Sequence, residues 1–127
     1  MKNPIIKSML IIIFGFLFSS QTSISAERNL QKCREFSSIG LHLPAIEQCQ
    51  KAMRDGVNRE AELELLYYLA NSYSSINKNK MAKEAITKLL NTSPSISAND
   101  YYLAGLIEIK LNNNKEAIYY LEKAILG

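Results

Sequence analysis

The sequence predicts an all-α protein made of three stacked antiparallel helix–turn–helix hairpins. Three observations carry that expectation. AIEQCQKAM (45–53), AKEAITKLL (82–90) and AIYYLEKAI (117–125) are near-copies, starting 37 and 35 residues apart. Each copy puts small or apolar residues at i, i+4 and i+7, the stripe of a single helix face. No stretch shows the period-2 alternation of a half-buried strand, and no connection needs a long structureless loop. Self-similarity at this period marks a stack of helical units, each burying its apolar face against the next.

Residues 1–26 read as a secretory signal peptide and not as part of the fold. Lys2 and Lys7 form a basic start, MLIIIFGFLF (9–18) is an uncharged apolar core, and small residues lead to Ala26. That is the n-, h- and c-region order, with cleavage after Ser25 or Ala26 equally readable. Ten apolar residues are too few for a bilayer core, which needs about 20, so a membrane anchor is disfavoured. No cysteine lies near the junction to take a lipid. The exported part, 27–127, is large enough for one small domain, with hairpins at about 27–56, 58–94 and 97–127.

Without Lys2 and Lys7, the 15 basic residues fall to 13 against 12 acidic ones. A nearly neutral surface offers no field for a phosphate backbone, which argues against nucleic acid as a partner. The 2 cysteines, Cys33 and Cys49, are not a CxxC redox pair. With His42 they would supply at most three ligands, too few for a structural zinc site.

Hydrophobic periodicity gives six helices. The first, about 28–38, aligns Leu30, Cys33 and Phe36. The second, about 44–55, aligns Ala45, Cys49 and Ala52, and Pro44 suits its first turn, where a missing N–H is no loss. The third, about 59–75, aligns Leu66, Leu69, Ala70 and Tyr73. Asn58 can cap it, and Glu60, Glu62 and Glu64 place negative charge at the favoured end of the helix dipole. The fourth, about 79–91, aligns Ala82, Ile86 and Leu89 and ends before Pro94. The fifth, about 98–111, follows Ser97 as a cap and holds Leu103, Ala104, Leu106 and Ile107. The sixth, about 114–126, aligns Ala117, Leu121 and Ala124. Gly40, Asn77 and Asn112 to Asn114 separate the helices of each pair, as residues that readily take the left-handed conformation ending a helix.

With those elements placed, the chain resembles the tetratricopeptide repeat family, whose unit is a 34-residue helix–turn–helix. The middle hairpin carries the resemblance best, with Leu66-x2-Leu69-Ala70-x2-Tyr73, then Ala82-x3-Ile86-x2-Leu89 and Pro94. The third keeps Ala117, Leu121 and Ala124. Its first helix is ambiguous by one residue: Gly105 has the family spacing to Ala117, whereas Ala104 gives the better apolar face. The first hairpin departs most, with Cys33 at a small-residue position, Phe36 for the usual tyrosine, Asn29 for a bulky residue and Cys49 at an aromatic position. The resemblance implies a short right-handed solenoid over essentially the whole exported chain.

The resemblance also implies sites. It points Cys33 and Cys49 into one helix–helix contact, predicting a disulfide that would brace an end repeat with a single neighbour; a loop of 16 residues is worth ~3 kcal/mol. It implies a protein-binding groove lined by Leu30, Arg34, Tyr67, Asn71 and Tyr102, although Tyr67 and Tyr102 half-packed between hairpins is an equally open reading. Only Asn71 and Arg34 match the set with which some members clamp a C-terminal carboxylate, so that clamp is not expected. Arrays of this family close on a polar helix, whereas the last helix here is apolar on more than one face. Ile118, Tyr119, Leu121 and Ile125 are therefore a candidate interface to a partner or a second copy.

The tyrosine pairs 67–68, 101–102 and 119–120 lie on predicted helices and read as packing, not base stacking. No nucleophile arrangement, glycine-rich phosphate loop or HExxH motif is present, so no catalytic residue, cofactor or metal is expected. The expected function is a non-enzymatic protein-binding adaptor or assembly factor of the bacterial cell envelope, periplasmic or secreted, with no membrane span after processing. The rival is a small structural component that self-associates through the last helix.

Overall fold

The computed structural model describes residues 21–127. Nearly all of the segment read as a leader, residues 1–20, lies outside the described residues. Six helices follow in order: α1 Ile24–Ser38, α2 His42–Asp55, α3 Arg59–Ser75, α4 Asn79–Thr92, α5 Ala98–Lys110 and α6 Asn114–Leu126. Among the described residues there is no strand. None of these helices is long and apolar enough to cross a membrane. Consecutive helices pack most extensively as α1 with α2, α3 with α4 and α5 with α6; α3 also touches α1 and α5.

The three turns inside these pairs are built alike. Gly40, Asn77 and Asn112 all take positive φ, at 78°, 62° and 61°. In each turn the residue after the positive-φ position donates its N–H five residues back: Leu41 to Phe36, Lys78 to Tyr73 and Asn113 to Glu108. The positive-φ residue itself donates to Ser37, Ser74 or Ile109. That double bond is the Schellman closure, which satisfies carbonyls left open at a helix end. The next helix then starts at once, with Ala45, Ala82 and Ala117 donating to Leu41, Lys78 and Asn113. Asn serves where Gly would because it tolerates the left-handed region better than other side chains.

The starts of α1, α3 and α5 are capped by side chains. Ser23, Asn58 and Ser97 accept from the backbone N–H of Ala26, Ala61 and Asp100, and Ser97 with Asp100 completes a capping box. The structure begins α1 at Ile24, four residues before the expected start, so this helix crosses the boundary drawn at residue 26. Helix α2 starts at His42, which puts Pro44 in its first turn as expected.

Most of the core is one cluster running the length of the molecule. Leu30 and Cys33 of α1 join Ile46, Cys49 and Ala52 of α2. Leu65, Leu66, Leu69, Ala70 and Tyr73 of α3 form the middle, with Ala82, Ile86 and Leu89 of α4 beside them and Leu103, Ala104 and Ile107 at the far end. Helix α3 is buried on several sides because it sits at the centre, and it carries the largest set of buried residues of the six.

Two residue pairs, each 16 apart in sequence, meet across the helices of the first and third pairs: Cys33 and Cys49, and Gly105 and Leu121. The Cα atoms of Cys33 and Cys49 are 5.1 Å apart and their sulfurs are at disulfide-bonding distance. A Cβ built at Gly105 would lie 2.7 Å from Leu121 Cγ and Cδ2. The ambiguity between Ala104 and Gly105 is thus resolved by space: both are buried, but Gly105 faces α6, where no side chain fits.

Candidate functional site

Two surfaces carry some of the residues singled out in the sequence. The first is a cleft of about 400 Å³ beside α3 and the start of α5. Its walls include Leu63, Glu64, Tyr67 and Tyr68 from α3, and Ser93, Ser95, Ser97, Asn99 and Asp100 from the α4–α5 connection and the first turn of α5. This connection is the longest of the five, opened by Pro94, and its Ser93 hydroxyl accepts from the N–H of Ser95. Tyr67 is half-buried in the cleft. Burial holds its hydroxyl above the ordinary tyrosine range, and the nearby Asp100 carboxylate pushes in the same direction. Tyr68 meets Tyr67 edge-on, with ring centres 6.1 Å apart.

Of the five expected groove residues, the structure puts only Tyr67 on this cleft. Leu30 is a core residue. Arg34 is engaged: its Nε donates to Glu64 Oε1 at 2.7 Å and a terminal nitrogen to Glu64 Oε2 at 3.0 Å. That two-point ion pair ties α1 to α3 and raises the guanidinium pKa further. Asn71 is half-buried one turn further along α3, and Tyr102 stands exposed on α5. Glu64, Tyr68 and the serine-rich connection were not singled out in the sequence as groove residues. The tyrosine pair was the available signal for Tyr68; nothing local announced that a connection would form a wall.

The second surface is the outer end of α5 and α6. Tyr102, Ile118, Tyr119, Ile125 and Leu126 are exposed, the last two at 84% and 85%. Leu121 is half-buried because one side of it covers Gly105. A shallow depression of about 380 Å³ runs between Ala98, Asn99 and Tyr102 on α5 and Leu121, Ala124 and Ile125 on α6. Tyrosines pack together at this end. Tyr101 stacks on Tyr120 across the two helices, Tyr119 meets Tyr120 edge-on, and the Lys123 ammonium lies 5.6 Å above the Tyr119 ring.

A buried polar group anchors α5 behind that surface. Glu108 is only 3% exposed, yet its carboxylate accepts from Asn113 Nδ2 at 2.7 Å and pairs with Lys83 of α4 at 3.2 Å. Lys110 donates to the backbone carbonyl of Ser74. Buried charge of this kind is tolerated only when partnered, and here the partners fix the third helix pair to the second. His42 does similar work at the other end, with Nδ1 3.2 Å from the buried Ser72 hydroxyl. Among the described residues, no group of three or more His, Cys, Asp or Glu side chains gathers to hold a metal ion.

No family model matches the chain, and neither the curated proteins nor the solved structures contain a match to it.

Proposed function

We propose that the three helix pairs stack as tetratricopeptide-like hairpins in a short right-handed solenoid, and that the protein is exported to act as a non-enzymatic binding adaptor or assembly factor of the bacterial cell envelope. The observation that carries this reading is the unpartnered apolar end formed by Tyr102, Ile118, Tyr119, Ile125 and Leu126. Isolated exposed apolar residues need no explanation, but five on the last helix pair, with Tyr102 and Ile125 lining one depression, fit a surface that another protein covers. The cleft at Tyr67 and Tyr68 offers a second place for an extended peptide, with serine and asparagine groups able to hydrogen-bond its backbone.

The identical turns support the repeat reading, because three Schellman closures at matching positions reproduce one supersecondary unit three times. Export is supported by the charge and hydropathy order of residues 1–26 and by the cysteine pair at bonding distance, since disulfides persist in oxidising compartments. In the exported protein Cys33 and Cys49 are expected to be bonded. The intact mass rises by two hydrogens on reduction under denaturing conditions; an unchanged mass removes the bond from the account.

The same apolar end supports a second reading, in which it pairs with another copy of the chain and the protein is a small structural component. Light scattering of the purified exported form, combined with crosslinking in intact envelopes, separates the two. A monomer crosslinked to a distinct envelope protein supports the adaptor. Oligomers crosslinked only to themselves support the structural component, and a monomer with no crosslink through this end refutes both.

A further inference from the structure

The residues just before Ala26 do not behave as the tail of a discarded leader. Ser23 caps α1 by accepting the Ala26 N–H at 3.1 Å, its own N–H donates to the Gly56 carbonyl at 3.4 Å, and its hydroxyl donates to the Asp55 carbonyl at 3.2 Å. Thr22 Oγ1 accepts from the N–H of Asn58 at 3.0 Å. Asn58 is itself the cap of α3, so this short segment ties the start of α1 to the junction of α2 and α3. Ala26 is fully buried. Cleavage after Ser25 or Ala26 would strip the Ser23 cap and leave the first turn of α1 with an unsatisfied N–H.

We propose that the leader is removed no later than the Thr22–Ser23 bond, so that the exported chain keeps Ser23 and the whole of α1. This inference rests on the export reading above. Ser20-Gln21-Thr22 places short hydroxyl residues at both positions that a leader-processing peptidase reads. The reaction is hydrolysis: water adds across one peptide bond, leaving a carboxylate on the leader and an α-amino group on the exported chain. Serine is compatible with both a processing site and a helix N-cap. The sequence motif therefore places the boundary too late, and only the hydrogen bonds distinguish the two uses.

The test is the intact mass and N-terminal sequence of the protein recovered after expressing the full chain in a bacterial host. A first residue at Ser23 or earlier, on a shortened chain, is the expected result. A first residue at Ala26 or Glu27, or at any later position than Ser23, overturns the proposal while leaving export intact. An unprocessed chain retained in the cytoplasm overturns it by removing export itself. Ser23→Ala in the exported protein gives an independent readout: loss of the cap should lower the melting temperature by about 4–8 °C, whereas an unchanged melt contradicts a retained Ser23.

Discussion

At position 105 a missing methyl group sets the distance between two helices. Any side chain there meets Leu121 at 2.7 Å. Gly105→Ala would gain up to about 1 kcal/mol of helix propensity but must push Leu121 outward in a contact with no slack, a cost of about 1–3 kcal/mol. The expected outcome is net destabilisation by about 1 kcal/mol, read as a lower urea midpoint with unchanged slope; a stabilised variant would show that the helices can separate freely. Glu108 makes the opposite kind of claim, since there a polar group is kept where an apolar one would pack. Lys83→Ala leaves the carboxylate buried with Asn113 alone, and a loss of about 1–3 kcal/mol is expected. Adding Glu108→Gln should recover part of it, because the uncompensated charge is then gone. Urea denaturation of both variants checks this, and full additivity would contradict the pairing.

At the scale of elements, five of the six helices were legible nearly to the residue, because caps and turn residues announced them. Asn58 and Ser97 cap where expected, and Gly40, Asn77 and Asn112 close α1, α3 and α5. The exception is the start of α1. Thr22, Ser23 and Ser25 fit both a leader's end and the start of a helix, and nothing local separates the two. The cleft was less legible than the helices: Arg34 looked available for a ligand, but its partner Glu64 lies 30 positions away. No periodicity reports a pairing at that separation. The turns carry their own prediction. Asn112 at φ 61° is in a region costing other L-residues about 1–2 kcal/mol, so Asn112→Ala should destabilise by about 1 kcal/mol and Asn112→Gly should not. Thermal melts decide this, and equal behaviour of the two variants would contradict the shared turn geometry.

At the scale of the whole molecule, the core is continuous from Leu30 to Ile107, whereas α6 contributes a single fully enclosed residue, Ala117. The two ends therefore differ physically. The first pair is braced by the cysteines and by the Ser23 cap, and the last pair is held from behind by Glu108 and Lys110; both expose large apolar side chains, Ile24, Ile39, Leu41 and Leu43 at one end and Ile118, Tyr119, Ile125 and Leu126 at the other. On the proposed reading, the less enclosed last pair is the open face that a partner covers. The most direct measurement places a photo-crosslinking residue at Tyr102, on the open face, and separately at Lys80, on the exposed side of α4, in intact cells. The account predicts a discrete adduct to another polypeptide from Tyr102 and none from Lys80. No adduct at Tyr102, or the same pattern from both positions, would contradict it.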